Sequence, residues 1–192
     1  MVNIDTFVAE ARANLVRGRA AATGIGLFLV VIDDDGNPLL RRRLEEDSLY
    51  GQDLRGKWEM TGGGMDLSHF EDAAAQEPAV SRYHLPILKT LAQELEEEAG
   101  LMLTGSFPLL MAPAFLYREY EREGEPRTTI DLAFSTPISL AAFEQTEMFH
   151  ELMEKGGLMF VPRDKLNEIE IVSSRTRFLV EQALRVWDLI RE

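Results

Sequence analysis

No cysteine occurs in the chain, which excludes disulfides, thiolate catalysis and Cys-ligated zinc. Long hydrophobic runs are missing too: none approaches the ~20 apolar residues that a bilayer-crossing helix needs. Positive charge is scarce. Lys and Arg number 20 against 33 Asp and Glu, a formal net charge of −13. That balance argues against non-specific binding to nucleic acid or to an anionic membrane. It leaves room for a small anionic substrate that arrives with a metal. The opening residues, MVNIDTFVAEARANLVRGR, carry Asp5 and Glu10 and lack an apolar core, so they do not read as a secretion signal. Cytoplasm is the expected location. No internal repeat, heptad array or low-complexity tract is present.

What remains is an ordinary globular composition, 45% hydrophobic and 28% charged over 192 residues. The length suits one domain, 1–192, with an added helix. Residues 4–17, within an N-terminal segment 1–20, read as an amphipathic helix that packs on the domain or on a partner chain. Residues 24–32 (GIGLFLVVI) form a nearly continuous apolar run, the pattern of a strand buried on both faces. Residues 33–38 (DDDGNP) are a turn, with Asp-Gly as a hairpin cue, and 39–44 (LLRRRL) are the return strand. Strand side chains alternate, so Arg41 and Arg43 share one face and Arg42 takes the other. Paired arginines can hold phosphate; ion pairs with Glu45 and Glu46 are the plain alternative. A short strand at 57–60 runs into the glycine bend at 62–64. Further strands are expected within 101–116 and at 128–138 and 157–162, with a polar hairpin at 117–126. A helix or acidic segment is expected at 141–155. The final helix, 173–190, has Phe178, Leu179, Ala183, Val186 and Ile190 as its apolar stripe.

The chain is organised around 85–101. Leu88, Leu91, Leu95 and Ala99 recur at three- and four-residue steps and share an apolar stripe. Glu94, Glu97 and Glu98 stand at i, i+3 and i+4, on one narrow face beside that stripe. Two such charges ~4 Å apart cost roughly 4 kcal/mol at an effective dielectric of ~20. A hard divalent cation would turn the repulsion into ligation. A solvated acidic helix end is the plain alternative, since Glu is a good helix former. Gly100 then stops the helix.

Trp58-Glu59-Met60-Thr61-Gly62-Gly63-Gly64-Met65-Asp66, followed by Gln93-Glu94-Leu95-Glu96-Glu97-Glu98-Ala99-Gly100-Leu101, resembles the Nudix box, G-x5-E-x7-R-E-U-x-E-E-x-G-U with U apolar. The second half matches at every fixed position but one, where Gln93 stands for Arg. The first half matches through Gly62-Gly63 and the acid that follows, Asp66. The spacing departs. Gly63 to Gln93 is 30 positions by the numbering, where the box has 14. The extra residues lie in an insertion at 67–85, beside the expected site. The middle Glu of the box has no secure counterpart; Glu71, Asp72 and Glu77 are available. His69 and His84 lie in the insertion as surface or packing residues.

The resemblance implies an α/β/α sandwich with a mixed sheet and flanking N- and C-terminal helices. It implies a hydrolase that cleaves the diphosphate linkage of a nucleoside diphosphate derivative: a nucleotide sugar such as ADP-ribose, or a (deoxy)nucleoside triphosphate. Glu94, Glu97 and Glu98 would be catalytic and would ligate Mg²⁺ or Mn²⁺. The Gly62–Gly63 backbone would fit round the helix end, and Arg41 and Arg43 are the candidate phosphate contacts. The base is Glu98, another box glutamate, or a late acid among Glu144, Glu147 and Glu151, each of which also reads as part of a solvated helix face. Trp58, Phe115, Tyr117 and Tyr120 could stack a base, and each reads equally as a core or hairpin residue. The N-terminal helix favours a homodimer by analogy. Two rivals stand beside this reading: a Nudix-fold nucleotide sensor that does not cut, favoured by Gln93 and the insertion, and an acidic α+β interaction domain with no site.

Overall fold

The apolar run expected at 24–32 forms strand β1 (Thr23–Val30), and its alternation divides the core. Leu27, Leu29 and Val31 belong to one hydrophobic cluster, Val30 and Ile32 to another, and all five are buried. The structure, a computed structural model, describes residues 23–43, 54–64, 81–104, 111–122, 125–135 and 140–191.

Helix α1 (Ser81–Ala99) closes the first face with Ile87, Leu91, Leu95 and Ala99. Helix α2 (Glu147–Glu154) adds Phe149 to the same cluster. Helix α3 (Ser174–Arg191) closes the second face with Leu179, Val180, Ala183, Leu184 and Trp187. A buried Leu stabilises by about 1.5–3 kcal/mol relative to an exposed one, so two such stripes fix both helices against β1 and its neighbours. The result is the α/β/α sandwich expected from the sequence.

The sheet is mixed, also as expected. β1 pairs antiparallel with β4 (Thr61–Gly64) and parallel with β7 (Glu125–Ser135), and β7 pairs antiparallel with β6 (Met111–Arg122). A second sheet runs β3 (Trp58–Glu59), β2 (Leu39–Arg42), β9 (Leu158–Phe160). A third pairs β5 (Leu101–Leu103) with β8 (Phe143–Gln145). No helix among the described residues is long and apolar enough to cross a membrane.

Several expectations need correction. The return strand does not lie along β1. Only Ile32 and Pro38 bridge, with Leu39 N–H donating to Val31 C=O at 2.7 Å, and β2 then leaves for the second sheet. Asp33 is used by the turn, accepting from the Asn37 backbone at 2.7 Å and its side chain at 2.9 Å. The glycine segment is a strand and not a bend, paired with β1 from Thr61 to Gly64. The 101–116 run does hold two strands, as expected. Pro113 lies in β6 where the register shifts between Met111 and Phe115, since proline cannot donate to the ladder. The strands flanking the 117–126 hairpin extend through it as far as Arg122 and from Glu125. Residues 141–155 divide into a 3-10 turn (Leu140–Ala142), β8 and α2. α1 begins before 85, so its first residues belong to the stretch expected as the insertion at 67–85. On α3, Phe178 is 40% exposed, because the buried stripe is centred on Val180, Ala183 and Trp187. The helix expected at 4–17, the acids Glu71, Asp72 and Glu77, His69, Glu45 and Glu46 lie outside the described residues.

Candidate functional site

Burial of Leu91, Leu95 and Ala99 fixes the rotation of α1, and that rotation decides where the acids go. Glu94 and Glu98 flank the buried stripe and are half-buried; Glu96 and Glu97 are exposed. α1 lies against β4, so its half-buried acids meet the glycines. The Gly62 N–H donates to Glu98 Oε2 at 3.0 Å.

Two of the three glycines are set by their neighbours, Gly62 by strand β1 and Gly63 by Glu94 of α1. Gly62 has φ +153°, and a Cβ there would lie 2.2 Å from the Leu27 carbonyl oxygen. A Cβ on Gly63 would lie 1.9 Å from Glu94 Oε1. The Glu94 carboxylate therefore occupies the space a side chain would take, the close approach that only glycine permits. Gly64 faces open space.

The arginines reach the same place from β2. Arg41 stands opposite Glu59 in the β2–β3 register. Its Nη2 lies 2.7 Å from Glu59 Oε1 and 2.8 Å from Glu98 Oε1. Arg43 Nε lies 2.9 Å from that same Glu59 oxygen. Arg41 and Arg43 do share a face, as the alternation predicts, and Arg42 turns away, to the Gly56 carbonyl and the Trp58 ring. Their described partners are Glu59 and Glu98. Glu59 is a member that sequence reasoning missed. It is buried, and its only signal was a lone acid between Trp58 and Met60; the register that sets it opposite Arg41 is not written in the sequence.

Burial is the largest influence on Glu98 and raises its pKa to about 7; Arg41 and the Gly62 N–H oppose the rise, and Glu94 and Glu59 add to it. Both Glu98 oxygens face N–H donors, the pattern an ionised carboxylate prefers. Burial, then repulsion from Glu97, raises Glu94 as well, against the pull of Arg41. Glu97 accepts from Gln93 Nε2 at 2.8 Å, so the amide in the Arg position of the motif still holds a neighbouring carboxylate.

The late acids stand apart in character. Glu144 lies in β8 opposite Met102, Glu147 opens α2, and both are exposed. Glu151 pairs with Lys155 at 2.6 Å, and that hydrogen bond lowers its pKa. Trp58 is half-buried against the α3-side cluster, and Phe115, Tyr117 and Tyr120 lie in β6. Among the described residues, no three His, Cys, Asp or Glu side chains gather closely enough to form a ready-made metal site. The donor set still fits a hard divalent cation. Its ligands would be carboxylate oxygens; Glu97 raises the pKa of Glu94, and Glu94 that of Glu98, so the acids crowd one another.

No protein-family model matches the chain, and none of the curated proteins matches it. Solved structures do resemble it. A MutT protein from Methanosarcina mazei Go1 is 18% identical with a TM-score of 0.46, over 85% of this chain and 94% of that one. Shewanella oneidensis NrtR is 14% identical with a TM-score of 0.49, over 84% and 60%. A NUDIX hydrolase from Nitrosomonas europaea is 11% identical with a TM-score of 0.47, over 83% and 87%.

Proposed function

We propose that this chain is a Nudix-type hydrolase that uses Mg²⁺ or Mn²⁺ to cleave the diphosphate linkage of a nucleoside diphosphate derivative. One observation carries the reading. The two halves of the motif, far apart in sequence, are in contact, with Gly62 N–H on Glu98 Oε2 at 3.0 Å and Gly63 under Glu94, and that contact supports the reading. A merely solvated acidic helix would not seat one carboxylate over a glycine and another on a backbone N–H of the same strand.

Glu94, Glu97 and Glu98 would hold the cation. When bound, it would neutralise the phosphates and make an attacking water more acidic. The chain's own groups do the rest. Gln93 restrains the Glu97 carboxylate, and the Gly62 N–H restrains Glu98. Arg41 and Arg43 supply guanidinium groups suited to bidentate contact with phosphate oxygens. A proton from water would pass to one of the box glutamates or to a late acid. Glu151 is a weaker base than Glu94 or Glu98, because Lys155 stabilises its ionised form while burial raises theirs.

A second reading has its own observation. Arg41 pairs with Glu98, and Gln93 replaces the motif's Arg, so the site could bind a nucleotide without cutting it. Incubation with a panel of nucleotide sugars and nucleoside triphosphates, with Mg²⁺ or Mn²⁺, decides between them. Release of phosphate or monophosphate supports the hydrolase. Binding across the panel without turnover supports the sensor.

A further inference from the structure

The Arg41 guanidinium stands between two carboxylates. A single nitrogen, Nη2, reaches Glu59 Oε1 at 2.7 Å and Glu98 Oε1 at 2.8 Å. Glu59 also takes Arg43 Nε at 2.9 Å, so it remains held whatever Arg41 does. Glu59 and Glu98 differ in what lies behind them. Glu59 is on a strand facing the arginines across the second sheet. Glu98 is on the helix face that carries Glu94 and Glu97.

Among the described residues, Glu59 and Glu98 meet the charges of Arg41 and Arg43, and a guanidinium so met has little attraction for an anion. Drawing Glu98 away from Arg41 bares part of that charge. A divalent cation on the α1 glutamates would do that. It competes with Arg41 for the same carboxylate oxygens and repels the guanidinium.

We propose that Arg41 exchanges partners: it neutralises Glu98 in the cation-free protein, and a divalent cation bound to the α1 glutamates releases it, still tethered to Glu59, to contact the anionic diphosphate of the substrate. This rests on the reading of Glu94, Glu97 and Glu98 as cation ligands. Its consequence is order. The cation binds first, and the diphosphate site gains its full charge only afterwards. Arg43, paired with Glu59, is the fixed member of the pair. Glu59 is a positioning residue, acting through the two arginines.

The test is a Mg²⁺ titration of the full chain followed by NMR of the arginine guanidinium and glutamate carboxyl groups. Arg41 signals are assigned by their loss in Arg41→Met. On saturation, the Arg41 guanidinium resonances should shift with the same midpoint as the Glu98 carboxyl, while those of Arg43 shift less. Arg41→Met should bind Mg²⁺ on the order of tenfold more tightly, since no guanidinium has to be displaced. In Mg²⁺-saturated protein, methylenediphosphonate should bind Arg41→Met on the order of tenfold more weakly than wild type. Glutamate signals that respond to Mg²⁺ while Arg41 stays unmoved would overturn the exchange and leave the cation reading standing. Glutamate signals that never respond at millimolar Mg²⁺ would overturn both. The wild-type titration needs no variant, so it stands even if Arg41→Met fails to fold.

Discussion

The Gly62 amide and the Glu98 carboxylate meet at 3.0 Å although 36 positions separate them. That hydrogen bond ties strand β4 to the end of helix α1. It does so beside the point where the Glu94 carboxylate lies over Gly63. A charged acceptor and a backbone donor make a bond of the stronger kind. The site is therefore built into the contact between an edge strand and a helix, not carried on a loop.

Gly63→Ala and Gly64→Ala should behave very differently. A methyl at 63 would fall 1.9 Å from Glu94 Oε1, whereas one at 64 meets nothing within 4 Å. Gly63→Ala should swing the Glu94 carboxylate, the far end of a flexible side chain, out of place at a cost of about 1 kcal/mol or less, and remove most hydrolysis. Gly64→Ala should stay within about 0.5 kcal/mol of wild type. Urea unfolding and phosphate release measure both, and equal effects at the two positions would contradict the geometry.

Glu97→Gln separates chemistry from folding. Glu97 is exposed and hydrogen-bonded only to Gln93 among the described contacts, so its stability effect should be within about 0.5 kcal/mol. Loss of its charge should lower Mg²⁺-dependent hydrolysis by about a hundredfold or more. Full activity with Mg²⁺ in a normally folded variant would dismiss Glu97 as a ligand.

Gln93→Arg restores the residue of the motif. Gln93 Nε2 already reaches Glu97 Oε1 at 2.8 Å, so a guanidinium there would replace a neutral donor with a charged one. Activity should be equal or higher. A tenfold or larger fall in kcat would mean that the site is tuned to the neutral amide.

Stability in the absence of metal should depend on pH through Glu98. Its folded pKa is raised from 4.5 to about 7, chiefly by burial, so folding increases its affinity for a proton. That contribution is complete below about pH 4.5 and disappears as pH rises through about 7, amounting to roughly 2–3 kcal/mol. Urea unfolding in EDTA at pH 5 and pH 8 should show wild type losing more stability than Glu98→Gln over that interval. Identical losses would exclude Glu98 as the source.

Periodicity alone determined a good deal. The nearly continuous apolar run at 24–32 prescribed a strand buried on both faces, because each face had to be covered by an apolar stripe. The steps among Leu91, Leu95 and Ala99 placed Glu94, Glu97 and Glu98 beside the buried side of one helix. Alternation also put Arg41 and Arg43 together. What pattern could not supply was partnership. Sequence spacing does not say which strand lies beside which, so β2 was expected along β1 and lies instead between β3 and β9. The same gap hid Glu59, whose role follows from standing opposite Arg41 across two strands. The glycines were visible as a motif, but only pairing with β1 decided that they form a strand, and only the packing of α1 on β4 that Glu94 occupies the volume a side chain at Gly63 would need. Local pattern fixes which face a side chain takes, while tertiary contact fixes what that face meets.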